Sequence, residues 1–230
     1  MIGIIGAMKI ETDKIRSLTE NKKSETVSGI EFVSGTLCGR EIVTAVCGIG
    51  KVAAAICTQT MILRYAPECI INTGVGGALS DKLEVCDAVI ADSFVQHDMD
   101  TTALGDEAGF IQDIDRVEIP AGKEVFETLV KAAEMTGGFR VLPGKIASGD
   151  QFIADTAKKK YIIDTFGASV CEMEGASMAH VCFKNSVPFS AVRAISDKAD
   201  GSGHISYEEF LPQAAENAAK IIENFVKLYK

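Results

Sequence analysis

The chain has 230 residues, enough for one α/β domain with a large core, and its 47% apolar and 24% charged content is ordinary for a soluble globular protein. A net charge of −9 argues against nucleic acid or an anionic membrane as the main partner. No apolar run approaches the roughly 18 to 20 residues that a membrane span needs.

The opening MIGIIGAM is apolar but short. It has no basic segment and no small-residue cleavage site, so a secretory leader is not expected. The run IGIIGA at 2–7 reads as a buried strand, as does EIVTAVCGIG at 41–50. KVAAAICTQTMILRYA at 51–66 has helical apolar spacing and is stopped by Pro67. CIINTG at 69–74 and CDAVIADSFVQHD at 86–98 are two more strands. The stretch 98–124 lacks periodicity and reads as a long loop, of the kind that often carries function.

Residues 155–167, DTAKKKYIIDTFG, form a helix with Asp155 as N-cap and Gly167 as its end. SVCEMEG at 169–175 returns to strand, EGASMAHVCFKN at 174–185 to helix, and FSAVRAISD at 189–197 to strand. In SYEE, Glu209 follows Ser206 by three, a capping box that places Pro212 in the first turn of a final helix. Leu211, Ala215, Ala218, Ile222, Phe225 and Tyr229 form its apolar stripe, which reads as core. With no repeat and no composition break, residues 1–230 read as one α/β domain.

Seven cysteines, at 38, 47, 57, 69, 86, 171 and 182, are odd in number, scattered and without a CxxC pair, which fits free thiols in a reducing cytoplasm. The glycine-rich stretches fail as nucleotide motifs. GIIGAM at 3–8 has the wrong spacing, GVGGAL at 74–79 has Leu79 in place of the last glycine, and GIGKVA at 48–53 has Ala45 and Val52 where a P-loop needs Gly and Ser/Thr. Gly74, Gly76 and Gly77 mark either close backbone approach to a ligand or a tight turn. Histidines 97, 180 and 204 are too dispersed for a zinc site. His97, Asp98 and Asp100 in HDMD could hold a cation, but a solvated loop is favoured. No metal is expected.

Acidic residues follow three of the strands: Glu11, the pair Glu172 and Glu174, and Asp197. Ligands of open α/β sheets bind beyond the carboxyl ends of strands, so these carboxylates can converge on one pocket. Plainer roles stand beside this one: a helix N-terminal charge for Glu11, a cap for Asp197, and a solvent-facing pair for Glu172 and Glu174. Residues 172 and 174 share a face if the strand continues, and do not if a helix starts at 174. Convergent carboxylates without metal suit cleavage at a sugar anomeric carbon, whose transition state is oxocarbenium-like. Arg193 either orients a carboxylate or makes a structural ion pair.

The motifs GIIGAM with Glu11, GIGKVAAA at 48–55, IINTGVGGAL at 70–79, HDMDTTALG at 97–105, SGDQFI at 148–153, CEMEGASMAHVC at 171–182 and VRAISDKAD at 192–200 occur in this order over nearly the whole chain. Together they resemble the bacterial 5′-methylthioadenosine/S-adenosylhomocysteine nucleosidases of the purine and uridine phosphorylase superfamily. The resemblance implies a nucleoside phosphorylase-like fold, a three-layer α/β/α sandwich around a mixed central sheet. It also implies hydrolytic release of adenine without a cofactor. Glu11 would activate water and Asp197 would protonate adenine N7. Glu174 and the Met173 backbone would hold the ribose hydroxyls, with Glu172 supporting them. Phe152 would stack on adenine and the Ile153 backbone would read its edge. Gly77 would lie against the nucleoside, Arg193 and Ser196 would support the water and Asp197, and Ile49 and Tyr207 would line the 5′ side. The implied partners are small adenine nucleosides and a second copy of the chain, with the region near 101–113 completing the neighbouring site.

Some positions depart from the family's pattern. Val75 replaces a small polar residue, and Thr101, Leu104 and Asp106 stand where more apolar or aromatic contacts are usual. Asp106 would favour a polar or cationic 5′ tail if it reached a pocket. Glu11 occupies the place of the glycine–arginine phosphate loop of the phosphorylase relatives, which favours water over phosphate. A phosphate-dependent phosphorylase and a nucleoside-binding module without turnover are the alternatives.

Overall fold

The apolar runs become strands of one mixed sheet. In the computed structural model residues 1–199 and 203–230 are described, with 203–208 as backbone alone. The strands are β1 (Ile2–Gly6), β2 (Glu20–Val27), β3 (Ile30–Leu37), β4 (Arg40–Val46), β5 (Cys69–Ala78), β6 (Ala88–Gln96), β7 (Glu118–Pro120), β8 (Val141–Ser148), β9 (Val170–Glu172) and β10 (Phe189–Asp197). The helices are α1 (Lys9–Leu18), α2 (Lys51–Tyr65), α3 (Lys123–Thr136), α4 (Thr156–Phe166), α5 (Gly175–Lys184) and α6 (Gly203–Leu228).

Strand order is β10-β6-β8-β9-β5-β1-β4-β3-β2, with β7 on β6 and a further pairing of β10 with β5. The sheet therefore closes on itself through β5, β10, β6, β8 and β9. One edge of β5 pairs with β10 from Ile70 to Gly77. Its other edge pairs first with β1, over Cys69 to Asn72, and then with β9 at Gly77 and Ala78. Between Asn72 and Gly77 the sheet forks.

Two cores flank the sheet. Helices α1, α3 and α6 cover one face around Ile4, Ile71, Val192, Ile222 and Phe225. Helices α2 and α5 cover the other around Ile5, Met61, Ile70, Phe94 and Met178. All ten residues of β5 and all nine of β10 are buried, as strands covered on both faces require. The fold is thus the three-layer α/β/α arrangement around a mixed sheet.

Several local expectations change. The final helix begins at Gly203, so Ser206 lies inside it and Pro212 falls beyond its first turn. A four-residue cap signal is outweighed there by the long stripe of Ala215, Ala218, Ile222, Phe225 and Tyr229, which is buried on the sheet. Residues 98–124 hold two short 3₁₀ turns, Thr102–Leu104 and Gln112–Ile114, before β7. The β2–β3 hairpin, α3 and β8 were not legible as elements. β2, ENKKSETV, is an exposed and charged edge strand, which protects the sheet edge but hides its strand character. Among the described residues no helix is long and apolar enough to cross a membrane.

Candidate active site

A cleft opens at the fork of the sheet. Glu11 enters it from the third position of α1, immediately after β1. Its Oε2 accepts the backbone N–H groups of Ala7 at 2.7 Å and Met8 at 2.9 Å. Its Oε1 accepts the N–H of Val75 at 3.2 Å, a donor on the forked edge of β5. The carboxylate is therefore both a helix N-terminal charge and a cleft residue. Burial raises its pKa above the usual carboxylate value, against the opposing pull of Arg193 and of the Met8, Val75 and Ala7 N–H groups.

The glycines of β5 are not a turn, because the strand runs through them to Ala78. They make room instead. A Cβ on Gly74 would lie 2.7 Å from Glu11 Oε1, one on Gly76 would lie 2.5 Å from Val170 Cγ1, and one on Gly77 would lie 3.0 Å from Asp197 Oδ1.

Arg193 lies behind the cleft on β10 and is 1% exposed. It is held in place by a buried ion pair with Glu172 and a hydrogen bond to Asn72 Oδ1. Glu172 takes up the rest of its capacity at the start of α5. It accepts the N–H of Glu174 at 3.1 Å, the N–H of Gly175 at 2.8 Å, and the hydroxyl of Ser148. Glu172 is thus an anchored carboxylate, not a solvent-facing one.

β9 ends at Glu172 and Glu174 is the N-cap of α5, so the strand parity of the two glutamates does not hold. The Glu174 side chain turns to the start of α2 and accepts the Gly50 N–H at 2.8 Å. Burial raises its pKa to about 7, and the neighbouring Glu172 charge adds to the rise.

Asp197 ends β10 in register with Gly77. Ser196 Oγ donates to its Oδ2 at 2.9 Å and the Ala199 N–H to its Oδ1 at 2.8 Å. The far wall is the segment after β8, where Gln151, Phe152 and Ile153 line the cleft. Phe152 is 47% exposed, whereas Ile153 is buried.

Glu11, Ile49, Gly77, Phe152, Ile153, Glu172, Met173, Glu174, Ser196 and Asp197 all line this one cleft. Arg193 stands one layer behind it. The Tyr207 side chain lies outside the described residues. Asp106 is engaged within its own loop, accepting from Thr101 Oγ1 at 2.7 Å and Gln112 Nε2 at 3.1 Å. Asp98 is no solvated loop residue, since its Oδ1 pairs with Lys51 Nζ at 2.6 Å. Sequence reasoning missed the roles of Asn72, whose polar side chain in an apolar strand was the available signal, and of Ser148, which entered only as the first residue of SGDQFI.

The chain matches the phosphorylase superfamily over residues 1–227. The 5′-methylthioadenosine/S-adenosylhomocysteine nucleosidase of Shewanella halifaxensis is 38% identical over 227 residues, covering 98% of each chain. A nucleosidase of the same description from Neisseria meningitidis, solved in complex with methylthio-immucillin-A, superimposes with a TM-score of 0.95 at 36% identity, covering 98% of each chain. The corresponding enzyme of Colwellia psychrerythraea, solved with adenine, gives a TM-score of 0.96 at 31% identity, covering 100% of this chain and 95% of that one. With its fold and nearly its whole length in common with these proteins, the chain belongs to the phosphorylase superfamily and, within it, to the 5′-methylthioadenosine/S-adenosylhomocysteine nucleosidases.

Proposed function

We propose that this protein hydrolyses the N-glycosidic bond of 5′-methylthioadenosine and S-adenosylhomocysteine, releasing adenine and the 5-thio-substituted ribose. The observation that carries the choice of water over phosphate is the charge of the cleft. Among the described residues its lining holds four carboxylates, Glu11, Glu172, Glu174 and Asp197, and no lysine or arginine. The nearest guanidinium, Arg193, is already neutralised by Glu172. Such a site repels a phosphate dianion and stabilises an oxocarbenium-like ribosyl cation.

In this reading Glu11 is the general base. Its raised pKa brings it closer to the working pH while three backbone donors keep it aimed. Asp197 protonates adenine N7 as the base departs, with Ser196 orienting it. Glu11 is tied to Val75, and Asp197 is in register with Gly77. Glu174 and the Met173 backbone hold the ribose hydroxyls, and Glu172 fixes Arg193 and the start of α5 behind them. Phe152 stacks on adenine, the Ile153 backbone reads its edge, Gly77 lies against the nucleoside, and Ile49 lines the 5′ side.

The protein works as a single domain over 1–230 and as a homodimer, in which the region near 101–113 completes the neighbouring site. Exposed apolar side chains support the pairing. Val52, Ile56 and Leu63 form one stripe of α2 beside Ile49 at the cleft, and Leu104 is 78% exposed. Its place is a reducing cytoplasm in methionine salvage, consistent with seven free thiols. The test is adenine release from a panel of 5′-substituted adenosines, with and without phosphate. Release that is independent of phosphate is expected, and a strict phosphate requirement would select the phosphorylase alternative.

A further inference from the structure

Three separate segments meet beside the cleft: the end of β6, the start of α2, and the turn after β8. Asp98 follows β6 and uses both carboxylate oxygens. Oδ1 pairs with Lys51 Nζ at 2.6 Å, and Oδ2 accepts the Asp150 N–H at 2.9 Å. Asp150 answers through its own side chain, whose Oδ1 accepts the Lys51 N–H at 2.7 Å. The contacts close a ring of Lys51, Asp98 and Asp150.

Lys51 is held at two further points. Its Nζ also reaches Gln96 Oε1 at 3.2 Å, and its carbonyl accepts Ser177 Oγ at 2.7 Å. Two glycines allow the three backbones to come this close. A Cβ on Gly50, at φ +98°, would lie 3.0 Å from Asp150 Oδ1, and one on Gly149 would lie 2.4 Å from the His97 ring. The Lys51 and Asp98 side chains are 20% and 19% exposed. A lone surface pair contributes little, but here each partner is fixed at several points.

What the ring joins are two walls of the cleft. On one side stands Ile49, directly before Gly50, whose N–H donates to Glu174. On the other stand Gln151, Phe152 and Ile153, directly after Asp150. We propose that Asp98, with Lys51 and Asp150, is a positioning clasp that fixes the distance between the ribose-holding and adenine-holding walls and so sets substrate affinity. The proposal rests on the nucleosidase reading above. The residues it positions touch ribose and adenine in both the ground and the transition state, so loosening the clasp weakens both states alike. That raises KM and spares kcat.

The test uses the full-length protein and the variants Asp98→Asn, Lys51→Met and Lys51→Arg. It reads kcat and KM for methylthioadenosine, the dissociation constant of adenine by calorimetry, and thermal melting. In Asp98→Asn and Lys51→Met, KM and the adenine constant are expected to rise together by about tenfold, with kcat changing by less than about threefold. A double variant, Asp98→Asn with Lys51→Met, should bind no worse than the more weakly binding of the two single variants, and Lys51→Arg should retain most of the affinity. Folded variants with lowered melting but unmoved KM would reduce the ring to a structural brace and overturn the proposal, as would a fall in kcat at constant KM. A wild-type protein that releases no adenine would overturn the nucleosidase reading along with it. Wild-type activity with unmoved variants would defeat the clasp alone.

Discussion

Glu11 and Val75 meet across 64 residues of chain, the Val75 N–H donating to Glu11 Oε1 at 3.2 Å. The donor is available because β5 leaves β1 at Asn72 and takes up β9 only at Gly77. The fork of the sheet thus supplies an unshared backbone donor at the point where a carboxylate from α1 arrives.

That carboxylate has little room. Gly74→Ala would place a Cβ 2.7 Å from Oε1 and 3.4 Å from Arg193 Nη1. Since three backbone donors hold the carboxylate, relief requires moving it off its aim. We expect kcat to fall by about 10- to 100-fold, with melting shifted only modestly. Steady-state kinetics alongside calorimetric melting checks this.

Asp197→Asn retains the shape of the side chain and an acceptor for Ser196 or Ala199, but an amide cannot deliver a carboxylic proton to N7. A loss of about 100- to 10,000-fold in kcat is expected. A substrate analogue that does not react should still bind within a few-fold of wild type, as calorimetry can show.

The Glu172–Arg193 pair carries stability. Both side chains are nearly fully buried, at 3% and 2% exposure. Glu172→Gln leaves the buried guanidinium charged and without its ion-pair partner, with only the more distant Glu174 and Glu11 charges facing it, and the expected loss is about 3–5 kcal/mol. Denaturant titration at neutral pH gives that value directly.

How much of this could be read from the sequence differs from element to element. β1, β5, β10, α2 and α4 were legible because buried strands and capped helices leave strong local signals. Asp155, for example, does cap α4 through the Lys158 N–H at 2.8 Å. The strand ends named by Glu11, Glu172 and Asp197 do converge on one cleft. The boundary between strand and helix within VCEMEG was not legible. Whether Glu174 belonged to a strand or a helix depended on where β9 stopped, and β9 stops early because Glu172 turns its carboxylate onto the N–H groups of Glu174 and Gly175. The clasp around Asp98 was invisible as well, since its three segments are brought together only by the sheet order.

Glu174 makes the protein sensitive to pH. Its pKa is raised by burial from the ordinary 4.5 to about 7, so folding favours the protonated form. That contribution is fully present below about pH 4.5 and is lost as pH rises towards 7, and Glu11 acts in the same direction. Stability without ligand should therefore decline over this range, by less in Glu174→Gln. Ribose binding has the opposite sign, because ionised Glu174 accepts the sugar hydroxyls more strongly. KM should rise as pH falls below 7, and KM measured against pH for the two proteins tests it.

In the proposed reaction water, activated by Glu11, attacks the anomeric carbon of the ribose. The most direct measurement is turnover of methylthioadenosine in ¹⁸O-labelled water with phosphate present, for wild type and Glu11→Gln. Adenine and a free thio-ribose carrying one ¹⁸O are expected from the wild type, with turnover reduced by about 100- to 10,000-fold in the variant. A ribose 1-phosphate product, or a Glu11→Gln protein that turns over at the wild-type rate, would contradict it.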